Sequence, residues 1–133
     1  MPIDFQGIAP LLQVFDMPTA MTFYLDKLDF VLTSSNCAEP PYEWVLLTRD
    51  GTELMLNTMY ESDARPAAPD PLRIERHDDV TMFFGCRDVD GLYRDLSARG
   101  VNVSPPVHRD YGMTQLWLKD PDGYGLCFQW KTA

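Results

Sequence analysis

"DPDGYGLCFQ", residues Asp120 to Gln129, reads as a tight turn running into a strand. Asp122-Gly123 supplies residues that tolerate positive φ between two alternating segments, the strongest short-range signal for a β-hairpin. The same grammar occurs earlier in "WVLLTRDGTELMLN", Trp44 to Asn57, which turns on Asp50-Gly51. Ahead of each hairpin stands a second matching pair of stretches. "IAPLLQVFDMPTAMTFYLDKLDFVLTS", Ile8 to Ser34, reads as a strand, a helix capped at Asp16 with Pro18 in its first turn, and another strand. In "VTMFFGCRDVDGLYRDLSARGVNVS", Val80 to Ser104, Asp88 takes the capping place. Leu92, Tyr93 and Leu96 there supply an apolar face, and Gly100 ends the helix.

The two copies keep one register. Asp16 and Asp88 are 72 positions apart, and so are Gly51 and Gly123. A single slip lies between cap and helix end, where Asp29 follows its cap by 13 residues and Gly100 follows its cap by 12. The chain is therefore expected to be α+β, with two βαβββ modules, 8–57 and 80–130, in one domain spanning 1–133. The helices should cover one face of a curved sheet. The connection 58–79, "TMYESDARPAAPDPLRIERHDD", is rich in Pro, Ala and charge. It reads as a long loop that serves as a lid, an interface arm or a plain surface connection.

Composition bounds the function. A chain of 133 residues with 45% hydrophobic content suits one domain with a sizeable core. Apolar runs such as "WVLL" are too short to span a bilayer, and "MPIDFQG" lacks the features of a signal peptide. Three cysteines without framework spacing read as free thiols, so a cytoplasmic location is expected. The net charge of −9 disfavours nucleic acid and anionic lipid as partners. It would attract a cationic ligand, or it serves solubility alone.

The motifs "VFD", "AMTFY" and "LDF" in the first module, with "DVDGLY", "LSARGV" and "KDPDGY" in the second, resemble the vicinal oxygen chelate superfamily. That group includes glyoxalase I, extradiol dioxygenases, and the fosfomycin and bleomycin resistance proteins. The resemblance runs from about Ile8 to Gln129 and implies an eight-stranded, cup-like mixed sheet with helices outside. It is silent on chemistry, because the fold hosts many activities.

Enzymes of the superfamily hold a divalent metal through His, Gln or Glu on the first and last strands of each module. Carried onto this chain, the first-strand positions fall seven residues before each capping Asp, at Ala9 and Thr81. The last-strand positions fall four residues past each hairpin Gly, at Met55 and Cys127. Ala offers no donor, Met a weak thioether, Thr a neutral hydroxyl and Cys one thiol, so the expectation is no metal and no cofactor. His77 and His108 are expected in loops, with a rearranged site over His77 to Asp79 as the alternative.

In character the chain is closest to metal-free bleomycin resistance proteins, which resemble it in acidic balance and in "YGMTQLWLKDPDG". Those are homodimers that sequester a cationic aromatic drug without turnover. The resemblance implies a homodimer and a small hydrophobic, aromatic or cationic partner. Pro10 would take part in arm exchange, or would simply mark a strand end.

Alternation along the strands sorts the side chains. Ile8, Pro10, Leu12, Val14, Leu54, Leu56, Val80, Met82 and Phe84 should pack under the helices. The opposite face should present Gln13, Phe15, Glu53, Met55, Asn57, Thr81, Phe83, Trp117, Cys127 and Gln129, with Tyr111 and Tyr60 able to stack on a flat ligand. This apolar, aromatic set with neutral polar groups suits a ligand pocket, while the same residues could instead fill a core. Cys127 has no basic neighbour in sequence and reads as an inert thiol, so no catalytic residue is assigned. Two other classes stay open: a glyoxalase-like lyase, isomerase or dioxygenase with a non-standard or absent metal site, and an interaction domain with a filled cup.

Overall fold

The computed structural model describes residues 2–60 and 64–133, which divide into two units, 1–66 and 67–133. In the first unit, β1 (Leu11–Val14) leads into α1 (Met17–Met21), followed by β2 (Val31–Ser35), β3 (Trp44–Arg49) and β4 (Thr52–Thr58). In the second, α2 (Pro71–Arg76) precedes β5 (Thr81–Gly85), α3 (Val89–Ala98), β6 (Val107–His108), β7 (Met113–Lys119) and β8 (Gly125–Lys131). The strands pair as two four-stranded sheets, in the orders β1-β4-β3-β2 and β5-β8-β7-β6. In each, the first strand runs parallel to the last and every other pairing is antiparallel. The repeat in sequence is a repeat in topology.

Local chemistry sets the helix starts. The Asp16 carboxylate accepts from the Thr19 amide at 3.1 Å, and that of Asp88 from the Gly91 amide at 2.9 Å. Each satisfies a donor that the first helical turn leaves open. The helices end differently. At α3, Val101 N donates to Leu96 O at 2.9 Å, with Gly100 at φ +80° in the left-handed region. In the first unit α1 continues as a π-helical turn, Thr22–Lys27. There Phe30 N donates to Tyr24 O at 2.9 Å, closing a loop one residue longer, with Asp29 at φ +56°. A π turn holds one more residue per ring than an α turn, and this is where the slip between the two copies is absorbed.

Each sheet buries the face turned to its helix. Leu12, Val14, Val45, Leu47, Leu54 and Leu56 meet Met17, Ala20 and Tyr24 in the first core. Leu116, Leu126 and Phe128 meet Val89 and Leu96 in the second. Two expectations are corrected at the ends of the strands. Ile8 is 85% exposed, because the first strand begins only at Leu11, and Val80 is exposed ahead of β5.

The hairpins are not equivalent. Arg49 pairs with Thr52, so Asp50-Gly51 alone make the first turn, at φ +49° and +81°. In the second, Lys119 pairs with Gly125, and five residues form the loop. Pro121 cannot donate to a ladder, and the buried Asp120 carboxylate accepts instead from Asp122 N at 2.9 Å and Tyr124 N at 3.0 Å.

The connection 58–79 is not wholly a loop: it contains α2 and the 3-10 turn His77–Asp79. Residues 61–63 of it lie outside the described residues. The helix is fastened to the five-residue loop. Arg73 Nη1 pairs with Asp122 Oδ1 at 3.0 Å with both side chains nearly buried, and His77 stacks on Tyr124 at 4.0 Å. His77 Nδ1 also lies 2.7 Å from the Asp122 carbonyl oxygen. No described helix is long and apolar enough to cross a membrane.

Candidate binding face

The sheet faces turned away from the helices hold most of the expected site residues, in two separate groups. In the first unit Leu11 lies beside Met55 and Gln13 beside Asn57 across the parallel ladder. Trp44 faces Asn57, Leu46 faces Met55 and Thr48 faces Glu53 across the antiparallel one. Asn57 Nδ2 donates to Gln13 Oε1 at 3.4 Å, a long bond, and Glu53 is exposed. Phe15 stands beyond the end of β1, edge-on to Tyr60 at 6.1 Å with the Arg65 guanidinium 5.0 Å over its ring. Arg65 is held there by Asp16 at 2.7 Å.

The second unit carries the more built group. Register places Phe83, Cys127 and Trp117 in one row across β5, β8 and β7. Gly85, Gln129, Gln115 and Val107 form the next row, and Thr81, Gly125 and Lys119 the one on the other side. Phe83 and Trp117 meet edge to face at 5.5 Å, an arrangement that the quadrupoles of the two rings favour. They close over the small thiol between them, so Cys127 is fully buried while Phe83 stays 53% and Trp117 39% exposed.

Beside this pair lies a polar network that the sequence did not point to. The buried Gln115 donates through Nε2 to Gln129 Oε1 at 2.9 Å. Its Oε1 accepts from Trp117 Nε1 at 3.1 Å and from Arg109 Nε at 3.0 Å. Both lone pairs of one oxygen are used, which fixes the indole and the guanidinium side by side. Gln115 could have been found from alternation, since it lies two residues before Trp117 on the same face of β7. Arg109 sits in the turn 109–112, where no periodicity applies. Tyr111 lies in that same turn and is exposed. His108 occupies the short β6, with its ring nitrogen 2.9 Å from Thr114 Oγ1.

The donors at the four metal-ligand positions do not fit a divalent ion. Burial pushes the Cys127 thiol up to about 11, the Arg109 charge offsetting part of that rise, so the thiol stays protonated at neutral pH. Thr81 and Met55 are neutral, and Ala9 lacks a donor. Among the described residues, no three His, Cys, Asp or Glu side chains gather as a metal set. Asp78 of the His77–Asp79 turn is engaged instead with Lys119 at 2.7 Å. A buried protonated thiol with no base on it is a poor nucleophile. What the face offers is ring surface framed by fixed amide and guanidinium groups.

The model of the Glyoxalase/Bleomycin resistance protein/Dioxygenase superfamily matches residues 7–128. Solved structures agree with the fold. TioX from Micromonospora sp. ML1 superposes with a TM-score of 0.73 at 17% identity, covering 94% of this chain and 98% of that one. A glyoxalase/bleomycin resistance protein/dioxygenase from Nocardioides gives 0.70 at 19% identity, covering 98% of this chain and 87% of that one. A member of the same superfamily from Sphaerobacter thermophilus DSM 20745 gives 0.62 at 25% identity, covering 91% and 93%. Nothing among the curated proteins matches the chain.

Proposed function

Since the chain belongs to the Glyoxalase/Bleomycin resistance protein/Dioxygenase superfamily, we propose that it binds a flat aromatic small molecule and holds it without turnover. The binding surface is the open face of the second sheet, and no metal takes part. The observation that carries this reading is the exposed Phe83–Trp117 pair, fixed from below by Cys127 and from the side by Gln115. Rigid aromatic area supplies affinity at low entropic cost, and the neighbouring amides orient the guest. Sequestration of an antibiotic is one form such binding takes, since the superfamily takes part of its name from bleomycin resistance proteins.

The protein acts as a cytoplasmic homodimer on this reading. Ile3, Phe5 and Ile8 leave a large apolar area exposed ahead of β1, which a second copy would cover. Sedimentation at micromolar concentration should give twice the chain mass, and a monomer would count against the dimer.

Binding is tested by fluorescence in a Trp44→Phe, Trp130→Phe chain, where Trp117 alone emits. Saturable quenching by 2-naphthamide is expected, weakened roughly tenfold by Phe83→Ala. Absence of quenching at millimolar probe would overturn the reading.

A further inference from the structure

The two open faces differ in charge. The first carries Glu53. On the second, the residues brought together by the ladders of β5, β6, β7 and β8 include Lys119 and Lys131 and no carboxylate. Arg109 adds a third cation through its bond to Gln115. Lys119 is already paired with Asp78, and Lys131 stands at the far end of β8.

Arg109 is differently placed. Its Nε is spent on Gln115 Oε1, the same oxygen that takes the Trp117 indole, so the guanidinium is locked beside the aromatic pair. No ion pair engages its two Nη nitrogens among the described residues, which leaves a planar fork of donors suited to a carboxylate. Its charge also reaches Cys127 beneath the rings.

We propose that Arg109 is the specificity-determining residue of this face, and that the ligand is a flat aromatic bearing an anionic oxygen group, such as a carboxylate or phenolate. The ring lies against Phe83 and Trp117 while the anion takes the Arg109 fork. This rests on the binding reading above and narrows it against a cationic guest. The negative net charge of the chain acts at long range and is screened by salt, whereas a guanidinium in contact acts on every bound molecule.

The test uses one ring with three charges: naphthalene-2-carboxylate, 2-naphthamide and 2-naphthylmethylammonium, titrated at pH 7 into the chain whose only tryptophan is Trp117. The carboxylate should bind roughly tenfold tighter than the amide and the ammonium weakest of the three. Arg109→Gln should abolish the preference for the carboxylate over the amide, while Arg109→Lys keeps part of it. Equal affinities, tightest binding of the ammonium, or a preference that survives Arg109→Gln would overturn the proposal with the binding reading intact. Quenching by none of the three would overturn both.

Discussion

Gln115 does more on this face than any aromatic residue, because three other side chains meet through it. Replacing it with Leu would strip the partner from Gln129 Oε1, Trp117 Nε1 and Arg109 Nε at once. A buried polar group left without a partner costs about 1–3 kcal/mol, so Gln115→Leu should lower stability in urea by that amount and release the indole. Unchanged stability with unchanged Trp117 emission would show that the network is ornamental. Cys127 makes a second residue-scale prediction. Its folded pKa lies above the usual thiol value, so the neutral form is favoured by folding and stability is intact at neutral pH. That contribution is lost as pH rises from about 8.5, where an unfolded thiol ionises, toward 11. At pH 8 iodoacetamide should therefore label exposed Cys37 and spare Cys127 until the chain is unfolded, which mass spectrometry of the peptides reads directly.

At the scale of elements, what was legible in sequence was what is decided locally. Asp16 and Asp88 cap through bonds to the amide three residues on, and Asp50-Gly51 turn through their own φ. Each cap should be worth about 1 kcal/mol by thermal unfolding of the Ala variant. The one-residue slip was visible as a number, but its resolution by a π turn depends on how Tyr24 packs, which spacing does not report. α2 was hidden for a similar reason. Its stretch is rich in Pro and charge, and what fastens it is tertiary: Arg73 on Asp122, His77 on Tyr124, and Gly123 beneath Ile74. A Cβ at Gly123 would collide with the Ile74 carbonyl, and φ there is +89°. Arg73→Ala breaks an ion pair whose two side chains are nearly buried, so it should destabilise by about 3–5 kcal/mol. The Arg73→Ala, Asp122→Asn double variant should recover part of that loss, and no recovery would mean that the pair is not what holds the helix.

Across the whole molecule, the repeat gives two similar frames that are fitted out differently. Both sheets turn a buried face to a helix and an open face away, yet one open face carries Glu53 and a long Gln13–Asn57 bond. The other carries a buried amide hub, two exposed rings and cations. The frame was legible because it repeats at a constant offset. The outfitting was legible only in part: strand residues such as Phe83 and Trp117 follow from alternation, whereas Arg109 lies in a turn and reveals its role only through the atom it touches. The donor set predicts a further property of the molecule. Protein incubated with Mn, Fe, Ni or Zn salts and then desalted should retain far less than one equivalent, and a stoichiometric ion would contradict the reading of Ala9, Met55, Thr81 and Cys127 as a vacated metal set.

The central claim is that the open face of the second sheet receives an aromatic guest, and it is tested most directly by nuclear magnetic resonance on uniformly ¹⁵N-labelled protein titrated with 2-naphthamide. The account predicts saturable shifts of the Trp117 indole Nε1–H and the Gln115 and Gln129 side-chain amides, with the Trp44 and Trp130 indoles unmoved. Shifts confined to other residues, or none at saturating probe, would contradict it.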